Sequence, residues 1–285
     1  MSLAERRRCV TYLKTEYDVS ERRACQAMQL NRSSYRYAGA ADLVDQTYRE
    51  VIRLSERYPY FGYRKIYDLM RDNWAISRER VRQIRRREGL QVIRKRRKCK
   101  VLGMSTQWVH RAQYPNHVWS YDFVHDQTED GRQLKCLTVV DEFTRQGLAI
   151  RVARSLTARD VTRILDELFY EHGRPVCIRS DNGPELVATH VQNWLKDKRV
   201  NTHYIEPGSP WQNAYNESFN SIFRTTCLDR CLFGSMTEAR VIIEHWLNEY
   251  NTVRPHGSLG GLNPEQFLQR WTEANIDQQP KSLTG

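Results

Sequence analysis

The chain has no long apolar run and no pattern of paired cysteines. No stretch of about 18 or more apolar residues occurs, and the opening Arg6-Arg7-Arg8 is followed by mixed polar sequence where a secretory signal would be apolar. The seven cysteines are scattered, odd in number and without a C-x2-C pair, which argues against a disulfide framework and a zinc site. We therefore expect a cytoplasmic protein with no membrane partner and with reduced, mostly buried thiols.

Acidic charge is scarce only in the first third of the chain. Residues 1–100 carry 26 Lys and Arg against 12 Asp and Glu, a net charge of +14, whereas the remaining residues carry 19 against 22, a net charge of −3. A basic excess confined to one region is typical of proteins that bind a polyanion, so the composition predicts a nucleic-acid partner. The alternative is that these side chains only solubilise helix surfaces.

The basic region has the periodicity of short helices. Residues 4–37 predict three of them, with Ser20 and Asn31 as N-caps. This segment fits either a helix-turn-helix or a small helical bundle that touches only protein. Residues 41–57 then predict an amphipathic helix.

A stronger helix-turn-helix pattern runs from Gly62 to Leu90. Its second helix follows Ser77, a predicted N-cap, and carries six arginines within residues 78–87, as DNA recognition helices do. The alternative is that these arginines lie over the surface of the helical bundle. The DNA contacts expected from this helix are Arg78, Arg82, Arg85 and Arg86.

The most basic run of the chain lies where the helical pattern ends. We expect residues 94–112 to form a linker that follows the DNA backbone through phosphate contacts, which add affinity without sequence specificity. A flexible charged spacer is the alternative. The expected phosphate contacts are Arg94, Lys95, Arg96, Arg97 and Lys98.

From residue 116 the pattern changes to short apolar or alternating runs. Three strands are predicted first, over Val118–Val124, Leu134–Val140 and Leu148–Val152. The elements predicted after them are a helix, a strand, a helix, a strand and a helix, over Ala158–His172, Pro175–Arg179, Thr189–Lys198, Thr202–Ile205 and the segment around Glu217. This order predicts an α/β fold with a mixed five-stranded sheet and flanking helices.

Three acidic residues lie where this fold would bring carboxylates together. Asp122 lies in the middle of the first predicted strand, Asp181 just after the fourth, and Glu217 on the helix after the fifth. Carboxylates that converge repel one another unless a cation is bound, and all-oxygen sites suit Mg²⁺ or Mn²⁺. Taken singly, the three have plain alternatives: an exposed strand residue, an ordinary turn and a solvated helix carboxylate.

The spacing of the three acids resembles the D,D(35)E signature of retroviral-type integrases and insertion-sequence transposases, because 35 residues separate Asp181 from Glu217. The tail Tyr250–Leu259 and Arg224, seven residues after Glu217, extend the match. Within that superfamily the chain most resembles the catalytic protein of the IS-three family of bacterial insertion sequences, over about residues 45–270. Leu186 stands where the family usually has Phe, and Arg224 where many members have Lys.

The resemblance implies a ribonuclease-H-like integrase core that acts as a DNA transposase. Asp122, Asp181 and Glu217 would hold two Mg²⁺ or Mn²⁺ ions for 3′-end cleavage and strand transfer. The implied partners are the terminal inverted repeats and target DNA, a dimer or larger homo-oligomer on DNA, and an upstream-frame partner or fused segment. The DNA contacts expected near the acids are Arg224, Trp211 and Asn182.

The expected domains follow from these patterns. They are a helical module over 1–40, a helix-turn-helix-like DNA-binding domain over 41–93, a basic linker over 94–112, the integrase core over 113–272 and a flexible tail over 273–285. Two other functions remain open, a non-catalytic DNA-binding assembly or regulatory factor and a structure-selective nuclease on the same fold. Asp141, which ends a predicted strand, is interpreted as structural, accepting a hydrogen bond from Arg145 or a turn amide.

Overall fold

The computed structural model describes residues 3–36, 41–92, 111–180, 189–204 and 214–276. Its helices are α1 (Leu3–Tyr17), α2 (Glu21–Ala27), α3 (Arg32–Arg36), α4 (Ala41–Arg57), α5 (Tyr63–Met70), α6 (Arg78–Arg87), α7 (Ala158–His172), α8 (Thr189–Asp197), α9 (Ala214–Thr226), α10 (Met236–Thr252) and α11 (Pro264–Ile276). Its strands are β1 (Val118–Gln127), β2 (Gln133–Asp141), β3 (Gly147–Ala153), β4 (Cys177–Ser180) and β5 (Asn201–Tyr204).

The described residues group into two compact units. The first runs up to Pro59 and includes Trp74–Gln91, and the second holds Tyr60–Asn73 together with the residues from 92 onward. Helix α5 therefore groups with the second unit, although the sequence predicts it in one domain with α4 and α6. The domain boundaries expected from the sequence stay predictions.

In the first unit, α1, α2 and α3 pack around a small core, which confirms the three short helices predicted there. This core consists of Val10, Ala24, Cys25 and Leu30. The Arg7 guanidinium joins α1 to α3 by donating to the Ser34 carbonyl at 2.9 and 2.6 Å. Ser20 occupies the N-cap position of α2 without a side-chain cap bond, whereas the Ser77 hydroxyl caps α6 by accepting from the Arg80 amide at 3.2 Å.

The second unit is built on a five-stranded sheet in the order β3-β2-β1-β4-β5. Strand β1 pairs antiparallel with β2 and parallel with β4, so the sheet is mixed. The α/β fold predicted from the order of the elements is confirmed. Two helices that the strand and helix patterns did not predict, α10 and α11, complete the described part of this unit.

The two faces of the sheet have different cores because side chains alternate along each strand. Trp119 and Tyr121 of β1 lie in an apolar cluster with residues of α7 and α8. Val124 of the same strand lies in a second cluster with residues of α9 and α10. Helix α7 begins with a capping box in which Thr157 and Asp160 bond each other's backbone amides.

Helix α10 packs on β3 at a point where only glycine fits. A Cβ on Gly147 would lie 2.5 Å from Leu247 Cδ1 and 2.9 Å from Phe219 Cε2. The Asn251 amide bonds both backbone groups of Gly147, accepting from its N–H at 2.9 Å and donating to its carbonyl at 2.8 Å. The pairing of β2 with β3 shifts register beside this residue, between Val139 and Val140.

The tail after α10 packs against α5 within the second unit. The Arg71 guanidinium, just past α5, donates to the Gly260 carbonyl at 3.0 Å, and buried Arg254 lies 5.4 Å from the centre of the Phe61 ring. Gly261 has a φ of +84°, and a Cβ there would lie 3.0 Å from Asp68. The segment from Arg254 to Gly261 therefore packs against α5 and the residues that flank it, at a position where glycine is required.

The cysteines agree with the expectation of buried thiols. Of the six described, four are buried, namely Cys25, Cys136, Cys177 and Cys227, and all six are free. Burial raises the pKa of the Cys136 thiol to about 12. No helix within the described ranges is both long and apolar enough to cross a membrane.

Candidate active site

Asp122 is held in the middle of β1 by side chains from two other elements. Its Oδ2 accepts a hydrogen bond of 2.8 Å from the Asn220 amide of α9, and its Oδ1 accepts one of 2.7 Å from the Phe123 amide. Thr138, its cross-strand partner on β2, donates to the Asp122 carbonyl at 3.1 Å and to Asn220 Oδ1 at 3.0 Å. The carboxylate is thus fixed on the face of the sheet that α9 covers.

Helix α9 brings Glu217 to the same face. Asn216 is fully buried. Its side-chain amide has one orientation that satisfies both the oxygen and the nitrogen, and in that orientation the oxygen accepts from the Tyr121 and Asp122 backbone amides, each at 3.2 Å. Glu217 follows directly and lies one helical turn before Asn220, so it neighbours Asn220 on the helix surface. Its side chain is exposed, and no hydrogen bond or ion pair joins it to the described residues.

Strand β4 ends beside Asp122. Ser180, its last residue, pairs with Tyr121 in a parallel ladder, and Arg179 pairs with Ser120. Asp181 follows Ser180 in the sequence but lies outside the described residues, as do Asn182, Trp211 and the basic run from Arg94 to Lys98. The expected roles of these residues stay predictions.

The turn between β2 and β3 contains two buried acids. Asp141 Oδ1 accepts from the Phe143 and Thr144 amides at 2.8 and 2.9 Å, and its Oδ2 from the Asn116 amide at 2.6 Å. Burial raises the pKa of Asp141 while these hydrogen bonds lower it. The interpretation of Asp141 as a structural acceptor of turn amides is confirmed.

Glu142, the next residue, forms a buried ion pair with Arg179. One guanidinium nitrogen lies 2.9 Å from both carboxylate oxygens, and the side chains are 6% exposed for Arg179 and 0% for Glu142. Burial raises the pKa of Glu142 to about 7, against the opposing effect of Arg179 and Arg145. The pair joins the turn to the strand that leads to Asp181.

Arg224 bonds to β1 in this structure. Its guanidinium donates to the His125 carbonyl at 2.7 Å and lies 4.0 Å from an Asp229 carboxylate oxygen. The side chain is 43% exposed, so part of it remains accessible. The predicted contact between Arg224 and DNA near the acids therefore stays a prediction, and any such contact must compete with the bond to His125.

The arginines of α6 divide into two groups. Arg78, Arg82 and Arg86 are exposed. Arg85 is only 3% exposed, and it donates to the Leu90 carbonyl at 3.1 and 2.6 Å from Nε and a terminal nitrogen. Burial lowers the pKa of Arg85. The expectation that Arg85 contacts DNA is not supported by this arrangement, because its guanidinium is buried and bonded to the Leu90 carbonyl, three residues past the end of α6.

The donor set suits a hard divalent cation. The described residues contain no group of three or more His, Cys, Asp and Glu placed to hold a metal ion, and the third predicted acid lies outside them. The two acids that are described supply only oxygen atoms, and Asn220 orients one of them. Mg²⁺ and Mn²⁺ prefer such ligands, so these residues fit the ions that the sequence predicts.

Three polar residues of the site were not predicted. Asn220 lies three residues after Glu217 and so neighbours it on the helix surface, and Asn216 lies four residues before Asn220 on the same side of the helix; this spacing is a usable signal. Thr138 gives no such signal. Its role depends on the register that places it opposite Asp122, which only the structure provides.

Comparison with known proteins agrees with this fold. The integrase core domain family matches residues 112–210 in one description and 198–264 in another, and an HTH-like domain family matches residues 44–98. The fold is also similar to a chain in the cryoEM structure of the simian T-cell lymphotropic virus intasome in complex with PP2A regulatory subunit B56 gamma. That match has a TM-score of 0.50 and 16% identity, and it covers 80% of this chain and 75% of that chain.

Two relatives place the chain in a family. It is 37% identical over 255 residues to an uncharacterized 39.2 kDa protein of insertion element IS476 from Xanthomonas euvesicatoria, covering 89% of this chain and 73% of that protein. It is 27% identical over 156 residues to the transposase InsF for insertion sequence IS3A of Escherichia coli K12, covering 54% of each. HTH-like and integrase core domains together imply DNA binding. The chain therefore belongs to the insertion-sequence transposases of the IS3 family.

Proposed function

We propose that the chain catalyses both DNA 3′-end cleavage and strand transfer for an insertion sequence, with Asp122, Asp181 and Glu217 as the catalytic acids. The observation that carries the proposal is the hydrogen bond from Asn220 to Asp122. It ties the carboxylate on β1 to the helix that carries Glu217. The family membership supports a transposase role, and the contact supports the assignment of these two acids.

The register of the sheet supports Asp181 as the third acid. Ser180 lies opposite Tyr121, and Asp181 is the next residue in the sequence. Asp122 is likewise the next residue after Tyr121 on the parallel neighbour. Adjacent parallel strands thus lead to adjacent acids, which supports Asp181 as the partner of Asp122.

A pair of Mg²⁺ or Mn²⁺ ions would activate the attacking hydroxyl and stabilise the leaving oxygen. The residues of the chain would supply the geometry. Asn220 holds one oxygen of Asp122 and the Phe123 amide holds the other, which limits rotation of the carboxylate. The Glu217 side chain is exposed and makes no hydrogen bond or ion pair with the described residues, so it is accessible to an ion and to DNA.

The proposed partners are the terminal inverted repeats and target DNA. Exposed Arg78, Arg82 and Arg86 on α6 support phosphate or base contacts by the HTH-like region. Joining two ends of one element requires both to be held at once, which favours a dimer or larger homo-oligomer. An upstream-frame segment could act as an additional partner in that assembly.

The test is an assay with labelled element ends in Mg²⁺ or Mn²⁺. Wild type is expected to give both nicked 3′ ends and joined products. Glu217→Gln is expected to lose both by at least about 100-fold, because a carboxylate that holds an ion contributes several kcal/mol to the transition state. The matched control is Glu171→Gln, an exposed acid on α7, which is expected to react like wild type.

Three outcomes would contradict the proposal. Cleavage without joining by wild type would indicate a nuclease, and DNA binding with neither product would indicate an assembly or regulatory factor. Full activity of Glu217→Gln would remove Glu217 from the catalytic set. A gel-shift assay on each variant separates lost chemistry from lost DNA binding.

A further inference from the structure

The segment Asp141–Gln146, called here the β2–β3 turn, is unusually well fixed. Asp141 accepts three backbone amides, two from the turn itself and one from Asn116 at the approach to β1. Arg145 has a positive φ of +64°, which a non-glycine residue adopts only when its surroundings enforce it. The turn is therefore a rigid platform, and two of its side chains reach toward elements of the candidate site.

The first side chain is Glu142, which contacts β4. Its carboxylate pairs with Arg179 at 2.9 Å through both oxygens, and both side chains are buried. Arg179 is two residues before Asp181 in the sequence. Because side chains alternate along a strand, Arg179 sits on the opposite face of β4 from Ile178, which packs in the α7 and α8 core. The ion pair thus anchors the last residues of β4 from the face that carries Asp122.

The second side chain is Arg145, which contacts α9. Its guanidinium carbon lies 3.8 Å from the centre of the Tyr215 ring, and the guanidinium also donates to the Glu142 carbonyl. Tyr215 lies in the first turn of α9, two residues before Glu217. The contact combines cation–π attraction with packing, so it restrains the start of the helix that presents Glu217.

Stability alone gives a poor account of the ion pair. Two buried charges lose their hydration, and pairs of this kind often contribute no more to stability than apolar residues of similar size. Their directional contacts do fix positions, as hydrogen-bonding partners behind metal ligands do in other proteins. Both contacts start from the same rigid turn. Arg179 and Tyr215, the residues that the turn contacts, each lie two residues before one of the proposed acids in the sequence.

We propose that the β2–β3 turn is a positioning device for the acids, acting on β4 through Glu142 and Arg179 and on the start of α9 through Arg145 and Tyr215. The inference rests on the proposed function, since it assigns a role relative to Asp181 and Glu217. None of the four residues is a catalytic residue. They set the spacing between carboxylates and thereby the affinity for the ions.

The test measures Mn²⁺ binding directly, by the electron paramagnetic resonance signal of free Mn²⁺, without DNA or turnover. Arg145→Ala removes the contact with α9 and involves a side chain that is only half-buried, so folding is expected to survive. Its Mn²⁺ dissociation constant is expected to rise roughly 10-fold. Arg145→Lys, which keeps a cation over the ring, is expected to restore most of the affinity.

The ion pair is tested as a unit to avoid leaving one buried charge. The double variant Glu142→Leu with Arg179→Met replaces both charges by apolar side chains and is expected to fold, while its Mn²⁺ affinity falls roughly 10-fold. The control is Val161→Ala on α7, in the core on the other face of the sheet. It is expected to lower the melting temperature and to leave Mn²⁺ affinity unchanged.

The outcomes are distinguishable. Wild-type Mn²⁺ affinity in both Arg145→Ala and the double variant would overturn the positioning role, and so would an equal loss of affinity in Val161→Ala. A failure of the proposed function would be seen in a different comparison, that of wild type with Asp122→Asn. If the proposed function is wrong, Asp122→Asn leaves the Mn²⁺ binding of wild type unchanged, or wild type binds no Mn²⁺. Either result would overturn the site and this inference together.

Discussion

Acidification is expected to destabilise the second unit through one half-buried histidine, His256. The His256 ring packs edge-on against Tyr250 with centroids 5.0 Å apart, and its buried Nε2 atom has no hydrogen-bond partner among the described residues. Burial, together with the nearby cations Arg254, Lys65 and Arg145, lowers the pKa of His256 to about 3. Between pH 6.5 and pH 3, His256 therefore stays neutral in the folded protein and takes up a proton in the unfolded chain.

The direction and size of this effect of pH on stability follow from the difference between the pKa values of His256 in the folded and unfolded chain. The ordinary pKa is 6.5, and the folded-state pKa is depressed, so the contribution of His256 to stability is fully present above pH 6.5. It is lost as the pH falls from 6.5 toward 3, because the unfolded chain then binds a proton that the folded chain does not. Each pKa unit corresponds to about 1.4 kcal/mol, so pH 5 is expected to cost about 2 kcal/mol relative to pH 8.

Glu142 changes stability with pH in the opposite direction, so a curve of unfolding free energy against pH for wild type alone would combine the effects of His256 and Glu142. Its folded-state pKa of about 7 is raised above the ordinary 4.5, and its contribution to stability is therefore lost as the pH rises from 4.5 through 7. The variant His256→Gln stays neutral at every pH. The difference between wild type and this variant isolates the histidine.

The assay is urea denaturation of both proteins, followed by tryptophan fluorescence, from pH 8 to pH 5. The free energy of unfolding of wild type is expected to fall relative to His256→Gln by about 2 kcal/mol over this range. The same difference at pH 8 and at pH 5 would refute the reasoning. It would show that His256 takes up its proton in the folded protein.

Three further predictions concern packing, capping and the site. Gly147→Ala is expected to destabilise by about 1–3 kcal/mol in thermal denaturation because its Cβ would overlap Leu247, whereas Gly257→Ala, with open space around it, should change little. Thr157→Ala removes the cap of α7 and is expected to cost about 1 kcal/mol by the same measurement. Asn220→Ala frees the carboxylate on β1 and is expected to weaken Mn²⁺ binding roughly 10-fold with little change in melting temperature; an unchanged dissociation constant would contradict the orienting role.

The strands could be predicted from the sequence, but their ends could not. Alternating apolar residues predict β1 as far as Val124, yet the strand continues to Gln127 because its ladder with β2 extends to the pair Gln127 and Gln133. Hydrogen bonding to a neighbouring strand, and not side-chain pattern, decides where a strand stops. The same reason moves β4 from the predicted Pro175–Arg179 to Cys177–Ser180.

The site was predictable only in part, for a related reason. The 35 residues between Asp181 and Glu217, together with Asp122 in the middle of a predicted strand, identify these acids as candidates, since both features can be read from the sequence alone. Thr138 becomes a partner of Asp122 only through strand register, which no local pattern encodes. Arg85 is a second case that the sequence does not resolve. A run of arginines on one helix does not reveal which of them is buried and bonded to a nearby backbone carbonyl.

The two faces of the sheet show where stability and geometry compete. The face under α7 and α8 is closed mostly by apolar side chains, whereas the face under α9 buries Thr138, Asn216 and the Glu142–Arg179 pair. Burying polar groups costs free energy that apolar residues of the same size would not cost. These groups surround the proposed carboxylates, and their hydrogen bonds fix atoms that apolar packing would leave free to rotate. Replacing the Glu142–Arg179 pair with apolar residues is therefore expected to raise stability or leave it unchanged while it weakens ion binding, and a loss of stability with unchanged ion binding would indicate that the pair serves only the fold.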